Sequence, residues 1–192
     1  MRESIQADNS YRFDVTFCPN LLKQDFTASE KNTRWVSDIT YIGTDQGWLY
    51  LAVVMDLYSR AIVGWAMDKY MDTELISAAL SMAISNRVPK DKLVLHSDRG
   101  SQYCSELYQE QLAELSIECS MSGIGNCYDN TAMESFFHSL KTEWVNHVRY
   151  ETRSAAKSHI FEYIEIFYNR QRRHSYSGRM PPMMFEAMAI AA

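Results

Sequence analysis

The sequence contains no apolar run approaching the length of a membrane span, and Met1-Arg2-Glu3-Ser4 leads into no signal-peptide core. No membrane partner is therefore expected, and the cytoplasm is the expected location. The cysteines, Cys18, Cys104, Cys119 and Cys127, show no Cys-x-x-Cys spacing and have no matching histidine pair. On that basis neither zinc nor a disulfide framework is expected, and reduced thiols are the default. No internal repeat or low-complexity tract is visible. Positive charge is also in short supply. The formal net charge is −5, which counts against a strong nonspecific nucleic-acid binder. It leaves room for a locally basic face, so the distribution of charge matters more than its sum. What is present is a 46% hydrophobic, 12% aromatic chain of 192 residues, enough for one well-buried domain and too short for two.

Residues 1–31 follow no sustained period of two or of 3.6 and read as an irregular arm or linker, with the ordered unit expected over 32–192. Arg34 to Ile42 is β-branched and aromatic, which predicts a strand. Alternation puts Val36, Asp38, Thr40 and Ile42 on one face and Trp35, Ser37, Ile39 and Tyr41 on the other. Trp48 to Asp56 is a nearly all-apolar second strand, and Ala61 to Ala66 a third; short turns make the three an antiparallel meander. Thr73, as N-cap, opens a helix ending near Pro89, and Leu93-Val94-Leu95 is a short buried strand. A helix follows from Tyr103 to Leu115, then a fifth strand at Ile117 to Ser120 and a mobile loop from Ser122 to Tyr128. Asn130 to about His147 is amphipathic, with Met133, Phe136, Phe137, Leu140, Trp144 and Val148 inward. A last helix spans Ser154 to about Tyr168, with Ala156, Ile160, Ile164 and Phe167 inward. The fold class is α/β: a five-stranded mixed sheet, three strands antiparallel and two parallel, with helices on both faces.

Three carboxylates stand out. Asp98 follows the buried strand in His96-Ser97-Asp98-Arg99-Gly100, at the carboxyl end where α/β sheets bind ligands, although an ordinary turn is written the same way. Asp38 interrupts a core strand, where a charge needs a partner, a metal or solvent. Glu134 shares one helical stripe with Asn130, His138 and Lys141, a pattern that a plain solvated helix face also produces. If the first and fourth strands pair, the three converge. Their repulsion would then raise their pKa values unless cations bind. Hard oxygen donors without Cys or His select Mg²⁺ or Mn²⁺, and two such ions about 4 Å apart clamp an in-line phosphodiester displacement.

The runs Trp35-Val36-Ser37-Asp38-Ile39-Thr40-Tyr41, His96 to Tyr103 and Asp129 to Phe137 closely resemble three signatures of the DDE transposases encoded by the second reading frame (OrfB) of bacterial insertion sequences. That family's core resembles the retroviral integrase catalytic domain, with a ribonuclease-H-like fold. Tyr168 to Ser175 looks like its C-terminal signature and Pro182 to Glu186 like its usual end, so the resemblance covers roughly Asn20 to Glu186. The resemblance implies Asp38, Asp98 and Glu134 as a catalytic, metal-binding triad, with Mg²⁺ or Mn²⁺ as cofactor, two ions in number. It implies that water attacks a phosphodiester at the element's tip and that the freed 3′-hydroxyl attacks a target strand. DNA, as insertion-sequence ends and target, and further copies of the chain are the implied partners, with a nucleoid-associated location. Lys141 matches the basic residue that contacts the element end in related integrases. Asn130 falls in the same signature, and Asp129 reads as a helix cap. Arg170, Arg172, Arg173, His174 and Arg179, interleaved with Tyr168 and Tyr176, are the local basic cluster suited to phosphate. His96 and the cysteines read as packing or hydrogen-bonding residues.

Two departures qualify the resemblance. Lys31 stands where the family has Pro, and Asn130-Thr131 where it has Asn-Ala. The helix-turn-helix material that usually precedes such a core is expected to be missing. The alternative function is therefore a truncated, non-catalytic form that associates with a full-length transposase and inhibits it. A cellular ribonuclease-H-like nuclease fits less well, because that chemistry usually draws on four acidic residues and needs no Arg-rich closing motif.

Overall fold

The computed structural model describes residues 17–89, 91–123 and 130–190. The expected loop over Ser122 to Tyr128 lies mostly outside these residues, and Asp129, Cys127 and the first half of the arm lie wholly outside them.

Strands β1 (Arg34–Thr44), β2 (Gly47–Asp56) and β3 (Ile62–Asp68) form the antiparallel meander, and β4 (Val94–Ser97) and β5 (Glu118–Met121) extend it in parallel. The sheet order is β3-β2-β1-β4-β5, so β1 sits centrally, with Val36 opposite His96 on β4. Period-two alternation divides each central strand between two cores. Val36, Ile42, Leu51, Val53 and Met55 face α3 (Thr131–Glu143) and α4 (Arg153–Phe161). Trp35, Ala52 and Val54 face α1 (Thr73–Asn86) and α2 (Glu106–Glu114). Two covered faces explain why β2 is nearly all apolar up to Asp56. Gly64 on β3 lets α1 come close: a Cβ there would lie 2.3 Å from the Ala79 carbonyl oxygen and 2.6 Å from the Ala83 nitrogen.

Several boundaries differ from the sequence expectation. Asp72, not Thr73, caps α1: its carboxylate accepts the Leu75 N–H at 3.0 Å, while the Thr73 hydroxyl is taken up by Ser105. α2 starts three residues later than expected, with Ser105 as its cap. α3 stops at Glu143 because Trp144 leaves the helical region (φ −133°) to stack its indole on His159 and Phe167. A 3₁₀ turn, Val145–His147, follows; Val145 is buried in place of Val148, which is 44% exposed. The helix begun by α4 continues as a π-helical stretch, Glu162–Tyr168. The wider turn moves the inward phase from Phe167 to Tyr168 and Asn169. Asn169 then pairs through its side-chain amide with both the N–H and the carbonyl of Ile62, at 2.9 Å each.

The segment before β1 is tied to the core. Leu22 is buried, Met121 donates its N–H to the Pro19 carbonyl and Leu21 donates to Ser120. Cys18 and Cys119 form a disulfide, against the expectation of reduced thiols. Their 101-residue separation carries no sequence signature, and only the pairing of this segment with β5 brings their Cα atoms to 5.8 Å. A fifth helix, α5 (Pro182–Ile190), closes the chain through Glu186, which is buried against Ser59 and Arg87. No helix among the described residues is long and apolar enough to cross a membrane.

Candidate active site

The parallel pairing of β1 with β4 brings two of the three carboxylates onto neighbouring strands. Asp38 sits mid-way along β1, half-buried, two residues beyond the last β1–β4 pair. Asp98 follows Ser97, the last residue of β4, and its Oδ1 accepts the Gly100 N–H at 2.9 Å, which shapes the turn. Glu134 occupies the first turn of α3 and is exposed, as is Asp98. Asn130 is the N-cap residue of α3, yet its side chain caps nothing: Nδ2 donates instead to Asp38 Oδ2 at 3.0 Å. The start of α3 is thereby fastened to β1 at the carboxylate.

Burial, joined by the negative charges of Asp98 and Glu134, pushes the Asp38 carboxyl up to about 7. The Ile39 N–H and the Asn130 amide oppose the rise. All three carboxylates thus share one electrostatic environment. Among the described residues, however, no group of three His, Cys, Asp or Glu side chains closes into a cage that could hold an ion.

Two other motif residues frame the site. Tyr103 is fully buried, and its hydroxyl meets Ser37 Oγ at 3.0 Å, pinning the approach to α2 against β1 beside Asp38. Burial, aided by the charge of Asp38, holds this phenol well above the usual tyrosine range. His96 bonds Ser120 at 2.8 Å and Ser122 at 3.3 Å, locking β4 to β5.

The residues expected to meet DNA are dispersed. Lys141 lies two turns beyond Glu134, about 10 Å along the helix axis, with Nζ 4.9 Å over the Tyr41 ring. Arg170 and Arg173 are exposed; Arg170 donates to the Glu165 carbonyl. Arg172 is paired with Glu143 at 2.5 Å and also bonds Ser139. His174 is buried against Tyr168, and desolvation lowers its pKa to about 4, so it is neutral at pH 7. The cluster read from sequence therefore carries less free charge than its composition suggests. Arg60, in the β2–β3 turn, escaped the sequence reading because nothing local marks it.

Residues 28–127 match the integrase core domain family, and residues 134–190 match a second family of the same description. The transposase InsF for insertion sequence IS3A of Escherichia coli (strain K12) is 49% identical over 198 residues, which covers 99% of this chain and 69% of InsF. The chain belongs to the integrase-core family of insertion-sequence transposases. It is thus a member of the DDE polynucleotidyl transferases. A 31 kDa protein of insertion element IS600 from Shigella sonnei is 46% identical, covering 96% of this chain and 68% of that protein. The fold is that of retroviral integrase catalytic cores, which is ribonuclease-H-like. The chain aligns with one chain of a simian T-cell lymphotropic virus intasome at a TM-score of 0.66 and 17% identity, covering 81% of this chain and about half (54%) of that one. It aligns with the HTLV-2 integrase catalytic core domain in complex with magnesium at 0.61 and 17%, covering 81% and 96% respectively.

Proposed function

We propose that this family member hydrolyses a phosphodiester at insertion-sequence ends and joins the freed 3′-hydroxyl to target DNA, with Asp38, Asp98 and Glu134 holding one or two divalent ions. The observation that carries the reading is the elevated Asp38 carboxyl, raised by burial and by Asp98 and Glu134. Like charges placed together at a strand centre, a strand end and a helix start are costly unless a cation offsets them. Carboxylate oxygens with no thiolate or imidazole suit Mg²⁺ or Mn²⁺, and the HTLV-2 core of the same fold is a magnesium complex. Such ions, when bound, stabilise the attacking and leaving oxygens of an in-line displacement.

The chain's own residues hold this arrangement. Asn130 orients Asp38 through its amide, the Gly100 N–H orients Asp98, and Glu134, on the first turn of α3, stands near enough for its charge to raise the Asp38 pKa. Lys141, Arg170 and Arg173 supply exposed or half-exposed cations for backbone phosphates. DNA is the substrate, and the working form is a homo-oligomer on it.

The test is a nicking and strand-transfer assay on labelled duplex oligonucleotides with Mn²⁺ or Mg²⁺. Product that disappears with EDTA and with Asp98→Asn supports the reading. Well-folded protein that yields no product with either metal counts against it.

A further inference from the structure

A cavity of about 380 Å³ lies between α3 and the C-terminal loop. Thr131, Ser135 and Ser139 line it from one edge of α3, and Arg60, Arg172 and His174 from outside that helix. Arg172 is already neutralised by Glu143. Arg60 is not: among the described residues no carboxylate meets it in an ion pair. Its Nη2 donates to the Phe26 carbonyl at 3.0 Å, and its guanidinium lies 4.2 Å over the Tyr176 ring. Its Nη1 is buried without a hydrogen-bond partner. Burial lowers the Arg60 pKa, the expected penalty for a cation that has lost water, and the Asp56 carboxylate opposes this only from beyond ion-pair distance. A second orphan points the same way. His174 is only 9% exposed, and its Nε2 has no partner.

An unpaired guanidinium donor, an imidazole nitrogen able to take a proton and three hydroxyls in one cavity want an acceptor of negative charge with several oxygens. We propose that this cavity is an anion site for a phosphate group of the DNA backbone, with Arg60 as its charge-bearing donor. The DNA source rests on the function proposed above; the phosphate chemistry does not. Thr131 and Ser135 sit on the same first turns of α3 as Glu134, so a strand bound at both the carboxylates and this cavity would run along that helix. The basic cluster is then divided in its work: Arg60 grips a phosphate inside, while Arg170 and Arg173 face solvent.

The test is a titration of the metal-free full chain with inorganic phosphate at constant ionic strength, followed by NMR of the His174 imidazole. A saturable shift is expected, with the His174 pKa rising as the anion binds. Arg60→Gln is expected to weaken binding about tenfold or more, the loss of one charged hydrogen bond. Because Arg60→Gln also loses the Phe26 contact, Ser135→Asp serves as a second variant: it sits on the exposed flank of α3 and puts a carboxylate at the site, and it should abolish binding without lowering Tm. A short DNA duplex added without metal should displace the phosphate. A non-saturating shift, or variants that bind like wild type, overturns the site. Phosphate binding that DNA does not displace overturns the backbone assignment in favour of free phosphate. No reaction is involved, so a protein inactive in nicking can still pass, and one that nicks DNA can fail.

Discussion

Asn130 stands at the N-cap of α3 but gives its side-chain amide to Asp38, 92 residues earlier in the chain, at 3.0 Å. A cap residue that leaves its helix uncapped forgoes about 1 kcal/mol of helix stabilisation. Here the amide instead binds the more buried carboxylate of the candidate triad. The contact joins β1 to the helix that carries Glu134.

Asn130→Ala should therefore act on the chemistry more than on the fold. Groups that orient a metal-binding carboxylate typically matter by about 10–100-fold in metal affinity or rate. A nicking rate reduced within that range, with Tm nearly unchanged, is the expected outcome. Wild-type rates in this variant would make the contact incidental.

The raised Asp38 carboxyl predicts how stability depends on pH in the absence of metal. Its pKa goes from 3.8 to about 7 on folding. Between those values the unfolded chain has released a proton that the folded chain keeps, so rising pH favours unfolding. The contribution is complete below pH 4 and lost as pH passes through 7. Melting curves in EDTA at pH 5 and pH 8 should show wild type losing more than Asp38→Asn. Mg²⁺ at pH 8 should restore the difference. A gap between wild type and variant that is flat with pH would count against this.

Much of this organisation was legible in the sequence, because strand and helix periods are local. The strand order followed from pairing the first strand with the fourth, and local pattern singled out the three carboxylates to which the family resemblance assigns the candidate metal-binding role. What escaped depends on partners distant in sequence. Arg172 and Glu143 are 29 residues apart, and nothing in either neighbourhood says that one neutralises the other. The π-helical turn that brings Asn169 onto Ile62 adds one residue per turn without any change in composition. Cys18 and Cys119 come together only because the segment before β1 lies along β5. Arg60 reads as a turn residue until the C-terminal loop is seen over it.

Gly64→Ala should be among the most damaging conservative changes. The added methyl would lie 2.3 Å from the Ala79 carbonyl oxygen and 2.6 Å from the Ala83 nitrogen. Both are helix backbone atoms and cannot swing aside, so α1 as a whole must move off β3. Overpacking usually costs about 1–3 kcal/mol, and this position should reach or exceed the top of that range in urea denaturation. A loss under 1 kcal/mol would mean that α1 shifts freely on the sheet.

The Arg87–Glu186 pair should be the anchor of α5. Nη1 and Oε2 are 2.7 Å apart, with side-chain exposures of only 12% and 7%. The same carboxylate accepts the Ser59 hydroxyl, so one group ties α5 to the end of α1 and to the β2–β3 turn. Removing one partner of a buried pair leaves an unpaired charge, at a cost of about 3–5 kcal/mol. Arg87→Ala should fall in that range by urea denaturation. Glu186→Gln should cost less, because the amide oxygen still accepts from Ser59 or Arg87. Replacing both partners with apolar residues of similar size should recover most of the loss, since no buried charge is then left alone. If the double replacement is as unstable as Arg87→Ala, the pair matters for its specific geometry rather than for mutual neutralisation.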